Sequence, residues 1–149
     1  MSEPISRAEA DGGPEGHERV FLMIDMERQK QKADEFLALH HAPTIFILPN
    51  AWDVASGKVF EIEGFKAIGT TSAGISATLG YPDGQRMSLA ENMEVVRRIV
   101  NNTTLPVSAD IEAGYATSID GVVKAAHAVW NAGAVGLNLE DDWNVSADV

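Results

Sequence analysis

The chain of 149 residues contains no cysteine. Disulfides, thiolate nucleophiles and cysteine-based zinc sites are thereby excluded, and nothing argues for an oxidising compartment. Basic residues are scarce: 11 Lys and Arg stand against 22 Asp and Glu, for a formal net charge of -11. A phosphate backbone or an anionic bilayer needs a basic face, so neither nucleic acid nor membrane is an expected partner. No apolar run approaches the roughly 20 residues that span a bilayer. Residues 1–19 are polar, rich in Gly, Pro and Glu, and lack the apolar core of a secretory signal. They are expected to form a disordered leader. Residues 20–149 suffice for one domain with a core. A hydrophobic content of 45% and a charged content of 22% are ordinary for a globular protein. The default expectation is cytoplasmic.

What is present is an alternation of periods. Residues 24–41 read as a helix with Ala33, Phe36, Leu37 and His40 on one face, ended by Pro43. Residues 44–48 are continuously apolar, which suits a strand buried on both faces. A second helix is expected from Asn50 as N-cap, with Asp53 in its first turn and Ala55, Val59 and Ile62 inward; Gly64 closes it. Residues 65–71 read as a strand, and 72–87 as a loop with a turn at Tyr81-Pro82-Asp83-Gly84. Ser88 and Glu91 form a capping box opening a helix with Leu89, Met93, Val96, Ile99 and Val100 on one side. A strand over 105–110 follows. The next helix is capped by Thr117 or Ser118, turns Val122, Ala126, Val129 and Trp130 inward, and ends at Gly133. Residues 134–140 make the last strand.

Every crossover is long enough for a helix, so the strands should be parallel. Two α/β architectures use this order, the open doubly wound sheet and the (β/α)8 TIM barrel. No Gly-rich phosphate fingerprint follows the first strand, where Pro49-Asn50-Ala51-Trp52 stands instead. Polar residues gather at the carboxyl ends of the later strands, where a barrel places its site. The chain reaches only about the first four β/α units, so its outer strands would be edges.

The most telling stretch is Pro106-Val107-Ser108-Ala109-Asp110-Ile111-Glu112-Ala113-Gly114-Tyr115. An apolar run ends in two acids spaced i, i+2, which a strand points to one face. Paired carboxylates at a buried strand end call for a cation or a proton between them. Glu140 ends the last strand in the same way. Three acids at a barrel mouth make a hard oxygen site suited to Mg2+, with Mn2+ an alternative and zinc disfavoured. The competing reading of Glu140, Asp141 and Asp142 is a solvated acidic turn. The small residues around Ser72, Ala73 and Gly74 could offer backbone N–H groups to an anion, or simply form a tight turn. Asp83 reads as a mobile acid near the metal or as a surface turn residue.

Five segments occur in order: Leu48-Pro49-Asn50-Ala51-Trp52-Asp53, Gly69-Thr70-Thr71-Ser72-Ala73-Gly74, Leu79-Gly80-Tyr81-Pro82-Asp83, Ser108 to Tyr115, and Gly136-Leu137-Asn138-Leu139-Glu140-Asp141. Together they resemble the isocitrate lyase/phosphoenolpyruvate mutase superfamily, over about residues 25–142. The resemblance implies a (β/α)8 barrel, a Mg2+ ion near the strand ends, and C–C or P–C bond chemistry beside a small 2-oxo or hydroxy carboxylic acid through an enolate. It implies that Asp110 ligates the metal directly, that Glu112 and Glu140 hold it largely through waters, that Ser72, Ala73 and Gly74 cradle the substrate carboxylate, and that Asp83 gates the site. Glu112 stands where many members have Asp. The lyases' catalytic cysteine is absent, and Asp141-Asp142-Trp143-Asn144 lacks the residues of the mutase loop. The expectation is a lyase-like enzyme that forms homo-oligomers; the alternative is a truncated, inactive remnant that binds metal or carboxylate.

Overall fold

The computed structural model describes residues 14–141, and side chains from residue 25 onward. Nine elements follow one another: α1 (Pro14–His41), β1 (Asn50–Ala51), α2 (Val54–Ile62), β2 (Ile68–Thr70), α3 (Ser72–Leu79), α4 (Leu89–Asn101), β3 (Val107–Asp110), α5 (Ile119–Asn131) and β4 (Gly136–Asn138). The strands form one sheet in the order β1-β2-β3-β4, and every pair is parallel. This is the α/β alternation that the sequence predicts. Most of the expected leader lies outside the described residues; α1 begins at Pro14.

The caps explain where helices start. Asp53 is the N-cap of α2, replacing the expected Asn50, because its carboxylate accepts from Ser56 N–H while the Ser56 hydroxyl receives the Asp53 N–H. Ser88 and Glu91 form the expected capping box of α4. Ser118 caps α5. On α4, Asn92, Met93, Val96 and Ile99 are buried. Met93 and Val96 pack with Ala109, Ile111, Ala125, Val129 and their neighbours into the main core, while Ile99 joins Ala51, Ile68 and Val107 in a second cluster.

Other expectations also need correction: Leu37 of α1 and Trp130 of α5, expected to face inward, are exposed, and α5 buries Ala125 with Val129 instead. Residues 44–48 form no strand, since pairing to β2 begins only where Pro49 O accepts Gly69 N–H. Ahead of that point the chain has no pairing to β2, and Ile45 and Ile47 stand exposed in the segment before β1. On α2 the inward face is Ser56 and Gly57, not Ala55, Val59 and Ile62, which are exposed. Gly57 explains the choice: a Cβ there would already touch Ile99 at 3.4 Å, so the helix lies close to α4 on its smallest residue. Last, part of the loop over 72–87 is helical. Thr71 caps α3 by accepting the Gly74 N–H, and Gly80 ends it at φ 83.

α1 closes the amino-terminal end of the sheet. Gln29 donates to the carbonyls of Trp130 and Ala134, and Lys32 donates to Thr103 O. Asn50, Gly69, Ser108 and Gly136 share one register level across the four strands. Phe36 rests on that row: a Cβ at Gly136 would lie 2.7 Å from its ring. Gly69, Ser108 and Gly136 at this level leave room for the Phe36 ring, and the next level toward the carboxyl ends carries Asp110 and Asn138.

Glu61 ties α2 to the loop before β3. Its carboxylate accepts from Lys58 Nζ, Thr104 Oγ1 and Thr104 N–H, which together hold its pKa down to about 2. A lowered folded-state pKa gives stability that is present above the ordinary value of 4.5 and lost as pH falls through 2. Glu61→Gln should therefore cost about 1 kcal/mol near neutral pH, and the gap to the parent should close between pH 4.5 and 2. Urea titrations across that range check it; a gap independent of pH would refute the assignment.

Candidate active site

Asp110 is the last residue of β3 and lies against the start of α3. Its Oδ2 accepts from Ser72 N–H at 2.8 Å and from the Ser72 hydroxyl at 2.6 Å, and its Oδ1 accepts from Glu112 N–H at 3.1 Å. A carboxylate at a helix N-terminus is favoured by the unpaired amides and the dipole. Thr70 Oγ1 accepts the Asp110 N–H and Asn92 donates to Asp110 O, so backbone and side chain are both fixed.

Glu112 reaches the site by a different route from the one the spacing suggests. β3 ends at Asp110, and Glu112 adopts φ 48, so strand alternation does not set its direction. Ile111 N–H pairs with Asn138 O, Gly114 N–H turns back to Ile111 O, and Gly114 itself sits at φ 83. That turn buries the Glu112 side chain to 4% exposure beside Asp110. Its Oε2 accepts from Gln85 N–H at 2.5 Å and its Oε1 from the Tyr115 hydroxyl at 3.1 Å. Burial pushes the Glu112 carboxyl above its ordinary pKa; the two hydrogen bonds counter this in part, and the charges of Asp83 and Asp110 add to the push. Burial likewise raises the Tyr115 phenol, with Glu112 adding to it.

Glu140 is joined to the same turn through its backbone, its N–H donating to Glu112 O at 2.8 Å, and its side chain is exposed. Asp142, Trp143 and Asn144 lie outside the described residues. Asp83 is exposed on the loop after α3, where it accepts its neighbour's Gly84 N–H, and it is near enough to act on Glu112. Among the described residues no ion pair reaches Asp83, Asp110 or Glu112. None forms a ready-made cluster of three His, Cys, Asp or Glu around a metal position either. Ser72 is committed to Asp110 and the Gly74 N–H to Thr71, which leaves the Ala73 N–H at the first turn of α3 as the open donor. Gly74 allows Trp52 to lie against this turn, where a Cβ would sit 2.9 Å from that of Trp52.

Sequence reasoning missed Gln85, Asn92 and Tyr115. Asn92 left a signal: it is a polar residue on the inward stripe of α4, between Leu89 and Val96, and it is fully buried. Gln85, Glu112 and Tyr115 are also the described non-glycine residues with positive φ, at 57, 48 and 55, and hydrogen bonds join all three. Backbone strain of this kind concentrates where a surrounding network holds it for a purpose.

Residues 36–148 match the phosphoenolpyruvate phosphomutase family. The chain belongs to that family. An uncharacterised protein of Mycobacterium tuberculosis is 42% identical over 106 residues, covering 71% of this chain and 40% of the relative. A 2-methylisocitrate lyase of Halalkalibacterium halodurans is 28% identical over 122 residues, covering 82% and 40%. A solved lyase/mutase-type protein of Burkholderia cenocepacia superposes with a TM-score of 0.75 at 35% identity, over 79% of this chain and 42% of that one. The phosphoenolpyruvate phosphomutase family and its lyase relatives share the TIM-barrel type of fold, and this chain holds about the first four β/α units of it. It spans about 40% of the length of the curated relatives it matches. No described helix is long and apolar enough to cross a membrane.

Proposed function

We propose that the chain carries the Mg2+-binding side of a lyase-like active site that makes or breaks a C–C or P–C bond beside a small 2-oxo or hydroxy carboxylic acid through an enolate. One observation carries this reading. The carboxylates of Asp110 and Glu112 lie together at the carboxyl end of β3, Glu112 buried and Asp83 close by, and among the described residues no cationic side chain is paired to any of them. Such a negative cluster fits a hard cation. Mg2+ keeps several waters and takes one or two carboxylates, so it suits this pair of acids; Mn2+ suits the same donors.

In this reading Asp110 would ligate the ion directly, and Glu112 and Glu140 would hold it largely through waters. Ser72 fixes the Asp110 carboxylate in place, and the Ala73 N–H beside Gly74 points a donor at the substrate carboxylate. Asp83, on the exposed loop, would approach once substrate is bound. The ion would supply Lewis-acid polarisation of the oxo group, and the oriented amides at the start of α3 would stabilise negative charge that develops next to it. Homo-oligomers are part of this proposal, because both outer strands are unpaired on one side among the described residues.

Oxalate is a planar mimic of a 2-oxo acid's enolate and provides the test. Calorimetric titration should show oxalate binding that requires Mg2+ and disappears in EDTA. Binding that is indifferent to Mg2+, or absent with it, would overturn the reading. A second reading has the chain bind cation and carboxylate without turnover; these 149 residues hold no cysteine to serve as the lyases' catalytic thiol. Deuterium uptake into the pyruvate methyl group separates the two: exchange with Mg2+ marks an enolate-forming catalyst, and Mg2+-dependent oxalate binding without exchange marks the remnant.

A further inference from the structure

We infer that Asn92 and Tyr115 form a positioning pair that sets the direction of the Glu112 carboxylate and locks it to Asp110, so that the two acids can share one divalent cation. The inference rests on the metal-binding reading above and goes beyond it, since neither residue belongs to the expected ligand set.

The argument starts from proton bookkeeping. The Asn92 side-chain nitrogen has two protons and no lone pair to offer. One goes to Asp110 O at 3.0 Å and the other to the Tyr115 hydroxyl oxygen at 3.1 Å. Turning the amide over would set its oxygen against the Asp110 carbonyl, so the orientation is fixed even though it leaves Asn92 Oδ1 buried without a partner among the described residues. The phenol oxygen, receiving from Asn92, then has its single proton to give, and Glu112 Oε1 at 3.1 Å takes it. The direction of the chain Asn92 to Tyr115 to Glu112 is thereby set by chemistry.

Glu112 needs such a fix. It has three side-chain torsions, and the neighbouring carboxylates repel it. Gln85 N–H holds Oε2 and Tyr115 holds Oε1, so both oxygens are aimed and their remaining lone pairs are free for water or a cation. Tyr115 is itself anchored at φ 55 by its own N–H on Gln85 Oε1. Asn92 is fully buried on α4 and joins the Asp110 backbone carbonyl to the Tyr115 hydroxyl that in turn holds Glu112. Partners of this kind set the orientation of metal-holding carboxylates, and their loss commonly lowers metal affinity about 10- to 100-fold.

The test is Mn2+ binding by the full chain, followed by the loss of the free-ion electron paramagnetic resonance signal. Tyr115→Phe should weaken Mn2+ binding about tenfold or more, with far-UV circular dichroism in EDTA unchanged. In a Glu112→Gln background the same substitution should have no further effect, which a general loosening of the fold would not produce. A second measurement needs only the parent chain: Mg2+ should raise an ultraviolet difference band from Tyr115 that persists in Tyr81→Phe and vanishes in Glu112→Gln. If the parent binds Mn2+ and Tyr115→Phe binds it equally, this inference fails and the metal reading stands. An effect of Tyr115→Phe that is undiminished in Glu112→Gln also overturns it. If the parent binds no Mn2+ and shows no Mg2+ difference band, both fall.

Discussion

Asp110→Ala is expected to abolish Mg2+ binding and to cost about 3 kcal/mol of stability, the second figure following from the loss of hydrogen bonds to a charged group. Three donors converge on that carboxylate: the Ser72 N–H, the Ser72 hydroxyl and the Glu112 N–H. Removing it frees the start of α3 from the end of β3 and also removes the proposed direct ligand. The other helices have their own caps and core faces, so helical content should stay near native. Asp110→Asn separates the two roles. It keeps an acceptor for Ser72 and should recover part of the stability, but a neutral amide should not recover the cation. Calorimetric Mg2+ titration and urea unfolding of both variants measure this. Equal Mg2+ affinity in the parent and Asp110→Ala would count against the site.

The second large effect concerns association. β1 and β4 each pair on one side only among the described residues. In the segment leading into β1, Ile45 is 95% and Ile47 69% exposed, and in and just after β4, Leu137 and Leu139 are exposed. Unpaired parallel strands flanked by apolar side chains are templates for further pairing. The 149-residue chain should therefore sediment as a dimer or larger species rather than at 16.0 kDa. Burying one isoleucine contributes about 1.5–3 kcal/mol, so changing both Ile45 and Ile47 to Lys should weaken association by a factor of about ten or more. The same change should leave the core untouched, since neither side chain enters it. A compact monomer of the parent at micromolar concentration would refute the expectation.

The alternation of elements was legible because caps and periodicity agree. Ser88 with Glu91, and Ser118 ahead of α5, are local signals read directly from neighbouring residues. The apolar run 44–48 misled because a strand is defined by its partner, and β2 is too short to supply one there. α3 was hidden by its Gly, Ser and Thr content, which reads as loop until the Thr71 cap and the docking of Ser72 onto Asp110 are known. The same limit applies at the site. Asp110 was legible as the acid at a strand end. The buried position of Glu112 depends on a left-handed turn that no period encodes. Its Tyr115 contact is made within that turn, and its Gln85 contact comes from 27 residues away, which only the fold brings near.

Crystals of the chain soaked in Mn2+ and measured at the manganese absorption edge give the most direct test. The account predicts an anomalous peak within bonding distance of the Asp110 carboxylate, on the side facing Glu112. A peak elsewhere, or none at saturating Mn2+, would contradict it.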